Sequence, residues 1–344
     1  MSESHAELLP EAALSEWMAS ECAIQNVSID AVLAGGNSNL TLRLNSDGGP
    51  LVLRTPPADT ISPKAHRGIE REAIVMAALQ GHVRVPEVIR WCDDTSVIGR
   101  PFLLVSMIDG VSITETLPAE YADEAASVNA LGEQLVDELA KLHCVPWQEV
   151  GLEAFGNPDN FLQRQIERWL KIRSNGGVRE LPEIERLGQW LLNNIPAECE
   201  SRVVHGDYHL DNTLCRKGQP ELAAVIDWEL STIGDPVTDL ALLLMFWGER
   251  KIEPPGFAHV QAVSRRAGIL GRRELAGRWE AATGISLEHL DFYMCFAFWR
   301  LAAIVEGAYE LYCQGKVDTE YAKGLKHDVP ALLEEAALAA TGEW

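Results

Sequence analysis

The sequence has no long apolar run, so we do not expect a membrane-spanning helix. Its longest clear apolar run, Leu240–Trp247, has eight residues, whereas a helix that crosses a bilayer needs about 20. The first seven residues also lack the basic start and the apolar core of a signal peptide. We predict that the protein is cytoplasmic.

Basic residues are scarce relative to acidic ones. The chain has 29 Lys and Arg against 51 Asp and Glu, and its formal net charge is −22. Proteins that bind duplex nucleic acid neutralise phosphates with Lys and Arg, and anionic membranes attract basic segments. The charge balance therefore argues against nucleic acid and against membranes as partners.

The cysteines are few and scattered. Their number, seven, is odd, and no two of them form a C-x-x-C pair. This spacing argues against a disulfide framework and against a thiolate zinc site. We expect reduced thiols at all of them, namely Cys22, Cys92, Cys144, Cys199, Cys215, Cys295 and Cys313.

The first third of the chain favours strands. Leu40–Leu44 alternates in hydropathy, turn residues 46–50 follow, and then comes Leu51–Arg54; this pattern predicts a hairpin. Val97–Ile108 is rich in β-forming residues and predicts two more strands, broken by Gly, Arg and Pro in the middle. His66–Gln80 has the apolar spacing of a helix.

Helical patterns dominate after residue 110. Apolar residues from Val128 to Leu142 step by three or four, as in an amphipathic helix. Further helices are predicted near 159–173, 183–194, 237–249 and 288–313. A short β region interrupts them at Val203–Val204, Thr213–Arg216 and Leu222–Ile226.

These patterns indicate an α+β chain of about two domains. It has 344 residues, 47% hydrophobic and 23% charged, and one domain usually has about 100–200 residues. We predict a small β-rich lobe over residues 1–107 and a larger, mostly helical lobe over residues 108–344. The link between them is Met107–Gly110.

The β region carries a set of side chains that suits a hard cation. Asp207 and Asn212 are five residues apart in one loop, and the predicted hairpin that follows returns Asp227 to the same place. Carboxylate and amide oxygens suit Mg²⁺, which also keeps waters and substrate phosphates as ligands. A second carboxylate, Asp207, is then left to act as a base on an attacking hydroxyl.

Other interpretations of the same residues stay open at this point. Asp211 and Glu229 fit ordinary turn positions. His205 and His209 are four apart and could form a zinc pair, although Gly206 makes this stretch a poor helix and no third soft ligand is evident.

Three sequence strings together carry a family resemblance. HGDYHLDN at 205–212, VIDWE at 225–229 and GDPVTDLA at 234–241 resemble the aminoglycoside phosphotransferase and choline kinase-like family of small-molecule kinases. The resemblance spans about residues 30 to 315 and is strongest to the kinase-like domain joined to some acyl-CoA dehydrogenases. It implies a protein kinase-like two-lobe fold and ATP-dependent phosphoryl transfer to a small-molecule hydroxyl.

The resemblance implies a role for each residue of the second-lobe site. Asp207 would be the catalytic base, and Asn212 and Asp227 would hold Mg²⁺. His205 would brace the catalytic loop. Asp239 would be a structural aspartate that supports the loop, although an acid at a helix N-terminus is an equally good interpretation.

In the first lobe, the resemblance implies the nucleotide contacts. Residues 35–39 would cover the ATP phosphates, with Asn37 and Ser38 as contacts, and GTP is a possible alternative donor. The adenine would lie against the backbone of the link, at Ser106 and Ile108.

Arg54 occupies the place where the wider family has a phosphate-binding lysine. Arginine keeps the charge but presents a planar fork instead of a point charge. Glu72 would pair with Arg54, and Glu70 is the rival partner. Because of this departure, a nucleotide-binding pseudokinase with weak catalysis is the alternative function.

The acceptor would enter from the second lobe, with Arg300 and Tyr293 as candidate contacts. Their neighbours Phe292, Phe296 and Trp299 fit a buried core stripe. Arg300 could face a carboxylate or phosphate of the acceptor, because an arginine is hard to bury without a partner. The resemblance suggests a hydroxy acid, a hydroxyacyl compound or an aminoglycoside-like molecule.

Overall fold

The structure is a computed structural model that describes residues 9–33, 39–57, 63–121, 124–174, 177–197, 200–252 and 255–344. Its first part is an antiparallel five-stranded sheet in the order β1-β2-β3-β5-β4. The strands are β1 Ser28–Val32, β2 Leu40–Asn45, β3 Leu51–Thr55, β4 Val88–Cys92 and β5 Phe102–Ser106. Three helices accompany it: α1 Glu11–Glu21, α2 Pro63–Leu79 and α3 Thr95–Ile98.

The predicted hairpin is confirmed as β2 and β3, and its alternation has a consequence for the site. Leu42 pairs with Leu53, and both are fully buried in a core shared with α1. Since side chains alternate between the faces of a strand, the next residue, Arg54, points to the opposite face. The burial of Leu51 and Leu53 on one face of β3 thus directs Arg54 toward α2 and the second lobe.

The prediction of two strands within 97–108 is wrong in its first half. Thr95–Ile98 forms the short helix α3, because the Asp94 side chain accepts a hydrogen bond from Ser96 N at 2.8 Å and caps it. Gly99 ends the helix with a left-handed backbone, φ 82°. Only Phe102–Ser106 is a strand.

The second lobe is helical, and all five helices predicted there are present. They are α4 Glu124–His143, α5 Phe161–Ser174, α6 Pro182–Asn193, α7 Val237–Phe246 and α9 Leu290–Cys313. The sequence patterns missed α8 Arg272–Thr283 and α10 Glu320–Ala339. Helix α10 contains Pro330, a residue that normally ends or kinks a helix.

The β region inside the second lobe is confirmed as two small ladders. Strand β7 Thr213–Cys215 pairs with β8 Leu222–Val225. Strand β6 Arg202–Val204 pairs with β9 Thr232–Gly234, which was not predicted. The two ladders bring the loop after β6, the turn after β8 and the start of α7 to one place.

The first lobe and the second lobe pack against each other through α2. Its buried residues, Ile69 and Met76 among them, belong to the large core that also contains the second-lobe helices. Arg71 on α2 donates to the carbonyls of Phe155 at 2.9 Å and Ser231 at 2.7 Å. The lobe limits 1–107 and 108–344 stay a prediction.

None of the helices in the described parts of the chain has the length and apolar character that a bilayer crossing needs.

Candidate active site

The loop between β6 and β7 folds so that Asn212 is hydrogen bonded to Asp207. The Asn212 amide nitrogen donates to both the backbone carbonyl and Oδ2 of Asp207, each at 2.9 Å. A short 3-10 turn, Leu210–Asn212, makes this return possible. Because the amide nitrogen is used in these bonds, the amide oxygen is the Asn212 atom that can bind a cation.

Strand pairing then places Asp227 beside Asn212. The N–H of Ile226 donates to the Asn212 carbonyl at 3.0 Å, and Asp227 follows directly with a left-handed backbone, φ 68° and ψ 57°. Such a conformation is uncommon for a residue other than glycine. The side chains of Asp207 and Asp227 are 39% and 37% exposed. The backbone bond of Ile226 thus brings Asp227 next to Asn212 in the chain fold, and the side chains of Asp207 and Asp227 are both partly open to solvent.

The donor set fits magnesium better than zinc. Asn212 and Asp227 offer oxygen ligands, and Mg²⁺ commonly takes one or two protein carboxylates together with waters and phosphates. The described residues contain no group of three or more His, Cys, Asp or Glu that could hold a metal ion. His205 is committed elsewhere, because Nδ1 accepts from Asp207 N at 3.2 Å and Nε2 donates to the Ile226 carbonyl at 3.0 Å.

Asp239 supports the loop in the manner that the resemblance implies. From the first turn of α7, its Oδ2 accepts from His205 N at 2.6 Å and its Oδ1 accepts from Gly206 N at 2.8 Å. Gly206 has φ 88°, and a Cβ there would lie 2.6 Å from the Leu230 carbonyl oxygen. Only glycine fits this position. Burial lowers the pKa of His205 and so favours the neutral ring that these contacts require.

Sequence reasoning missed a buried pair behind Asp239. The Trp279 indole N–H donates to His143 Nδ1 at 3.1 Å, and an indole can only donate. The His143 proton therefore lies on Nε2, which is 3.5 Å from Asp239 Oδ2. A histidine directly after the last leucine of the helix predicted over Val128–Leu142 was the signal that could have indicated this contact.

His209 lies between two carboxylates of the loop. Its Nε2 is 3.6 Å from Asp207 Oδ1, and its Nδ1 is 3.8 Å from Asp211 Oδ1. Burial alone would lower the pKa of His209, but the two carboxylates outweigh burial and raise it to about 9. Burial raises the pKa of Asp207, but His209, His205 and the Asn212 amide together lower it to about 2. Asp207 is thus a carboxylate at neutral pH.

Arg54 joins the first lobe to this site. Its Nε lies 2.9 Å from Glu72 Oε2, and one terminal nitrogen donates to Asp227 Oδ1 at 3.2 Å. The predicted pairing with Glu72 is confirmed over the rival Glu70. A second contact between the lobes runs from the Asn39 amide to Glu229 Oε2 at 3.1 Å, so Glu229 is more than a turn residue.

Glu72 makes a pH-dependent contribution to stability. It is 1% exposed, and burial raises its pKa from 4.5 to about 7 in spite of the attraction of Arg54. Because the pKa is higher in the folded protein than in the unfolded chain, Glu72 favours folding below pH 4.5, and this contribution is lost as the pH rises through about 7. We expect Glu72→Gln to reduce the fall in unfolding free energy between pH 5 and pH 8 by up to ~3 kcal/mol.

Denaturant titrations of both proteins at the two pH values would measure this difference. Glu70→Gln changes an exposed glutamate two residues away on the same helix; it is the control and should behave as the wild type. Identical pH slopes for the wild type and Glu72→Gln would contradict the raised pKa.

The remaining predicted nucleotide contacts are only partly described. Asn37 and Ser38 lie outside the described residues. The Ser106 hydroxyl accepts from Glu87 N at 2.9 Å, so its side chain is tied to the neighbouring strand. Ile108 is half-buried in the link. Their roles in binding ATP stay predictions.

The two acceptor candidates differ in where the structure places them. A terminal nitrogen of Arg300 donates to the Gly206 carbonyl at 3.3 Å, next to Asp207. Tyr293 is 4% exposed, and its hydroxyl donates to Asp235 Oδ2 at 2.7 Å. Tyr293 is therefore directed to a buried carboxylate and not to the catalytic loop, a correction to the prediction. The core stripe interpretation is correct for Phe292, Phe296 and Trp299, which are all buried.

Comparison with known proteins identifies the family. A sequence profile described as the phosphotransferase enzyme family matches residues 31–275. The chain belongs to this family. The resemblance based on HGDYHLDN and its companion strings is confirmed, and so is the two-lobe α+β kinase-like fold. The protein is thus a member of a family of kinase-like phosphotransferases.

The curated relatives confirm the narrower branch. The chain is 33% identical over 292 residues to acyl-CoA dehydrogenase family member 10 of Mus musculus, covering 84% of this chain and 27% of that protein. It is 32% identical over 290 residues to acyl-CoA dehydrogenase family member 11 of Homo sapiens, covering 83% and 36%. The chain therefore spans about a third of the length of these relatives.

Solved structures show the same fold over nearly all of the chain. A protein provisionally assigned as an aminoglycoside phosphotransferase from Ralstonia eutropha JMP134 has a TM-score of 0.82 and 30% identity, covering 97% of this chain and 99% of its own. The GDP and kanamycin complex of an aminoglycoside 2''-phosphotransferase has a TM-score of 0.62 and 16% identity, covering 94% and 98%. The second likeness concerns the fold alone.

Proposed function

We propose that this phosphotransferase moves the γ-phosphoryl group of ATP to a hydroxyl of a small molecule, with Mg²⁺ as cofactor. The observation that carries the proposal is the gathering of Asp207, Asn212 and Asp227 at one solvent-open place, with Arg54 reaching it from the first lobe. GTP is an alternative donor, since fold neighbours were solved with GDP or with ADP.

Asp207 is the catalytic residue of this proposal. Its contacts with Asn212 and His209 fix the carboxylate and keep it ionised. An ionised carboxylate at this position can orient the acceptor hydroxyl and accept its proton. A loose transition state demands little more of the base, because bond formation to the incoming oxygen lags behind bond breaking.

The other residues position and neutralise the phosphates. When bound, Mg²⁺ supplies positive charge to the phosphate oxygens, and Asn212 and Asp227 are the residues that would hold it. Arg54 adds a fixed positive charge, oriented by Glu72 on α2. Asn37 and Ser38 would cover the phosphates, and the backbone at Ser106 and Ile108 would receive the base.

Arg300 favours an anionic acceptor. Burial lowers the pKa of Arg300, Asp239 and Asp207 oppose this shift, and Arg168 adds to it. An arginine in a protein nevertheless stays charged. Its Nε is buried and has no hydrogen-bond partner among the described residues. A polycationic aminoglycoside would be repelled here, whereas a hydroxy acid or a hydroxyacyl compound would gain a contact. The acyl-CoA dehydrogenase relatives support the second class.

We expect Arg300→Gln to raise the KM of a carboxylate-bearing acceptor about 10-fold to 100-fold, the loss of a hydrogen bond to a charged group. The KM for ATP should not change, because the Arg300 contact is with the Gly206 carbonyl of the catalytic loop and not with the residues assigned to the nucleotide. Steady-state kinetics with a hydroxy acid and with its neutral alcohol analogue would measure the effect. Arg186→Gln, an exposed arginine paired with Glu183, is the control. Equal losses for both acceptors would contradict the anionic assignment.

The function itself is tested by a nucleotide-consumption screen with Mg²⁺. Alcohols, sugars, aminoglycosides, hydroxy acids and hydroxyacyl compounds would be tried as acceptors, and ³¹P NMR would identify the phosphorylated product. We expect turnover with an anionic hydroxyl compound and much slower turnover in the Asp207→Asn variant. Metal-dependent nucleotide binding with no transfer to any acceptor would instead favour the pseudokinase alternative that Arg54 raises.

A further inference from the structure

Gln261 is fully buried in the segment after α7 and contacts the catalytic loop twice. Its backbone N–H donates to Asp211 Oδ1 at 3.0 Å, and its side-chain Oε1 accepts from Leu210 N at 2.7 Å. Its side-chain nitrogen donates to the Leu243 carbonyl on α7 at 3.1 Å. None of the sequence strings that indicated the family includes this residue.

Both contacts fall on the turn that places Asn212. The N–H of Leu210 opens the 3-10 turn Leu210–Asn212, and Asn212 N closes it on the His209 carbonyl at 3.0 Å. The first N–H groups of such a turn have no partner within it. Gln261 supplies the missing acceptor and at the same time fastens the turn to α7.

The backbone of Gln261 is itself held in an unusual conformation. It is left-handed, with φ 49°, which is uncommon for a residue other than glycine. Its carbonyl accepts from the Ser264 hydroxyl at 2.7 Å, and Ser264 Oγ also accepts from Gly248 N at 2.8 Å. The segment after α7 therefore holds the backbone of Gln261 in place, and the Gln261 side chain in turn holds the 3-10 turn.

We propose that Gln261 is a positioning residue that holds Asn212 in place for the metal ion. The inference rests on the proposed function, because it assigns to Gln261 an effect on the cation that Asn212 and Asp227 would bind. Residues that orient metal ligands typically change metal affinity by about 10-fold to 100-fold when they are replaced.

Gln261→Met is the test variant, because it keeps the side-chain volume and the backbone bond to Asp211 but removes both side-chain hydrogen bonds. Mn²⁺ binding in the presence of a non-hydrolysable ATP analogue would be measured by electron paramagnetic resonance. We expect the Mn²⁺ dissociation constant to rise about 10-fold, with the same factor in the Mg²⁺ concentration for half-maximal turnover.

Gln134→Met is the matched control. Gln134 on α4 makes the same kinds of contact, since its Oε1 accepts from Leu222 N at 3.0 Å and its nitrogen donates to the Pro220 carbonyl at 2.8 Å. It supports the far end of the β7–β8 hairpin instead of the turn at Asn212. We expect it to lose stability and to keep the wild-type Mn²⁺ constant.

A double variant tests whether the unpaired N–H of Leu210 is the cause, because the loss of the buried Leu210 side chain is common to both backgrounds. Leu210→Pro removes the N–H that Gln261 satisfies, and proline is tolerated at the first position of a helical turn. His209 already has the extended backbone, φ −156° and ψ 169°, that a following proline requires. In the Gln261→Met background, Leu210→Pro should cost less Mn²⁺ affinity than in the wild type, because no unpaired N–H is then left.

The outcomes separate the positioning role of Gln261 from the proposed function. A Gln261→Met protein that is less stable but has the wild-type Mn²⁺ constant would overturn this inference and leave the proposed function standing. A wild-type protein that binds neither Mn²⁺ nor nucleotide would overturn both.

Discussion

Asp207→Asn is expected to lower kcat by about 10²-fold to 10⁴-fold, the usual contribution of a positioned acid–base group. Asparagine keeps an oxygen that can accept from the Asn212 amide, so the loop geometry survives the change. It cannot take the proton of the acceptor hydroxyl. Binding of Mg²⁺ with nucleotide should be retained, because Asn212 and Asp227 are untouched.

Single-turnover kinetics and calorimetric titration with an ATP analogue would separate the two effects. Asp211→Asn is the comparison variant in the same loop, since it also removes a carboxylate near His209 but keeps the acceptor for Gln261 N. It should lower kcat far less than Asp207→Asn. Similar losses in the two variants would mean that loop charge, and not a base at 207, drives the reaction.

The part of the site that the sequence could predict is built from local contacts. Asp207 and Asn212 are joined across five residues of one loop. The β7–β8 hairpin that returns Asp227 is indicated by two short strand segments on either side of a turn. Short separations leave few alternatives for the chain, so spacing and turn chemistry predict the geometry. The Arg54–Glu72 pair spans two elements, and it was predicted only through the family resemblance.

The part that could not be predicted depends on contacts between distant segments. Gln261 reaches a turn 50 residues earlier in the chain, and Trp279 reaches His143 across 136 residues. Neither residue lies in a recognisable string, and a buried glutamine or tryptophan has many possible partners. Only the packing of α7, α8 and α4 around the loop selects these partners.

Local sequence signals also gave a wrong prediction where a strand and a short helix compete for the same residues. Val97 and Ile98 have high β propensity, yet Asp94 caps a helical turn and Gly99 ends it. Propensity is a weak guide when a cap and a left-handed glycine enclose only four residues. Tyr293 was misplaced for another reason, since an apolar helix face does not reveal that one hydroxyl meets a buried carboxylate.

Asp239→Asn is expected to damage both stability and catalysis. The two carboxylate oxygens of Asp239 accept from the N–H groups of His205 and Gly206, whereas asparagine has one oxygen and one amide nitrogen. One buried N–H therefore loses its acceptor and faces another donor, at a cost of about 1–3 kcal/mol. Because the affected N–H groups directly precede Asp207, we expect kcat per folded molecule to fall as well, by at least about 10-fold.

Asp235→Asn is the control that makes this result interpretable, because Asp235 lies just before the same helix. Its carboxylate accepts from Val237 N at 3.0 Å and from the Tyr293 hydroxyl. Neither of these contacts involves the backbone of residues 205–206. Both variants should lower the unfolding free energy, whereas only Asp239→Asn should speed hydrogen exchange at the Gly206 amide and reduce kcat. Asp239→Asn could instead keep the wild-type kcat after correction for its folded fraction. In that case the carboxylate would only stabilise α7, as an acid at a helix N-terminus does, and would not hold the catalytic loop.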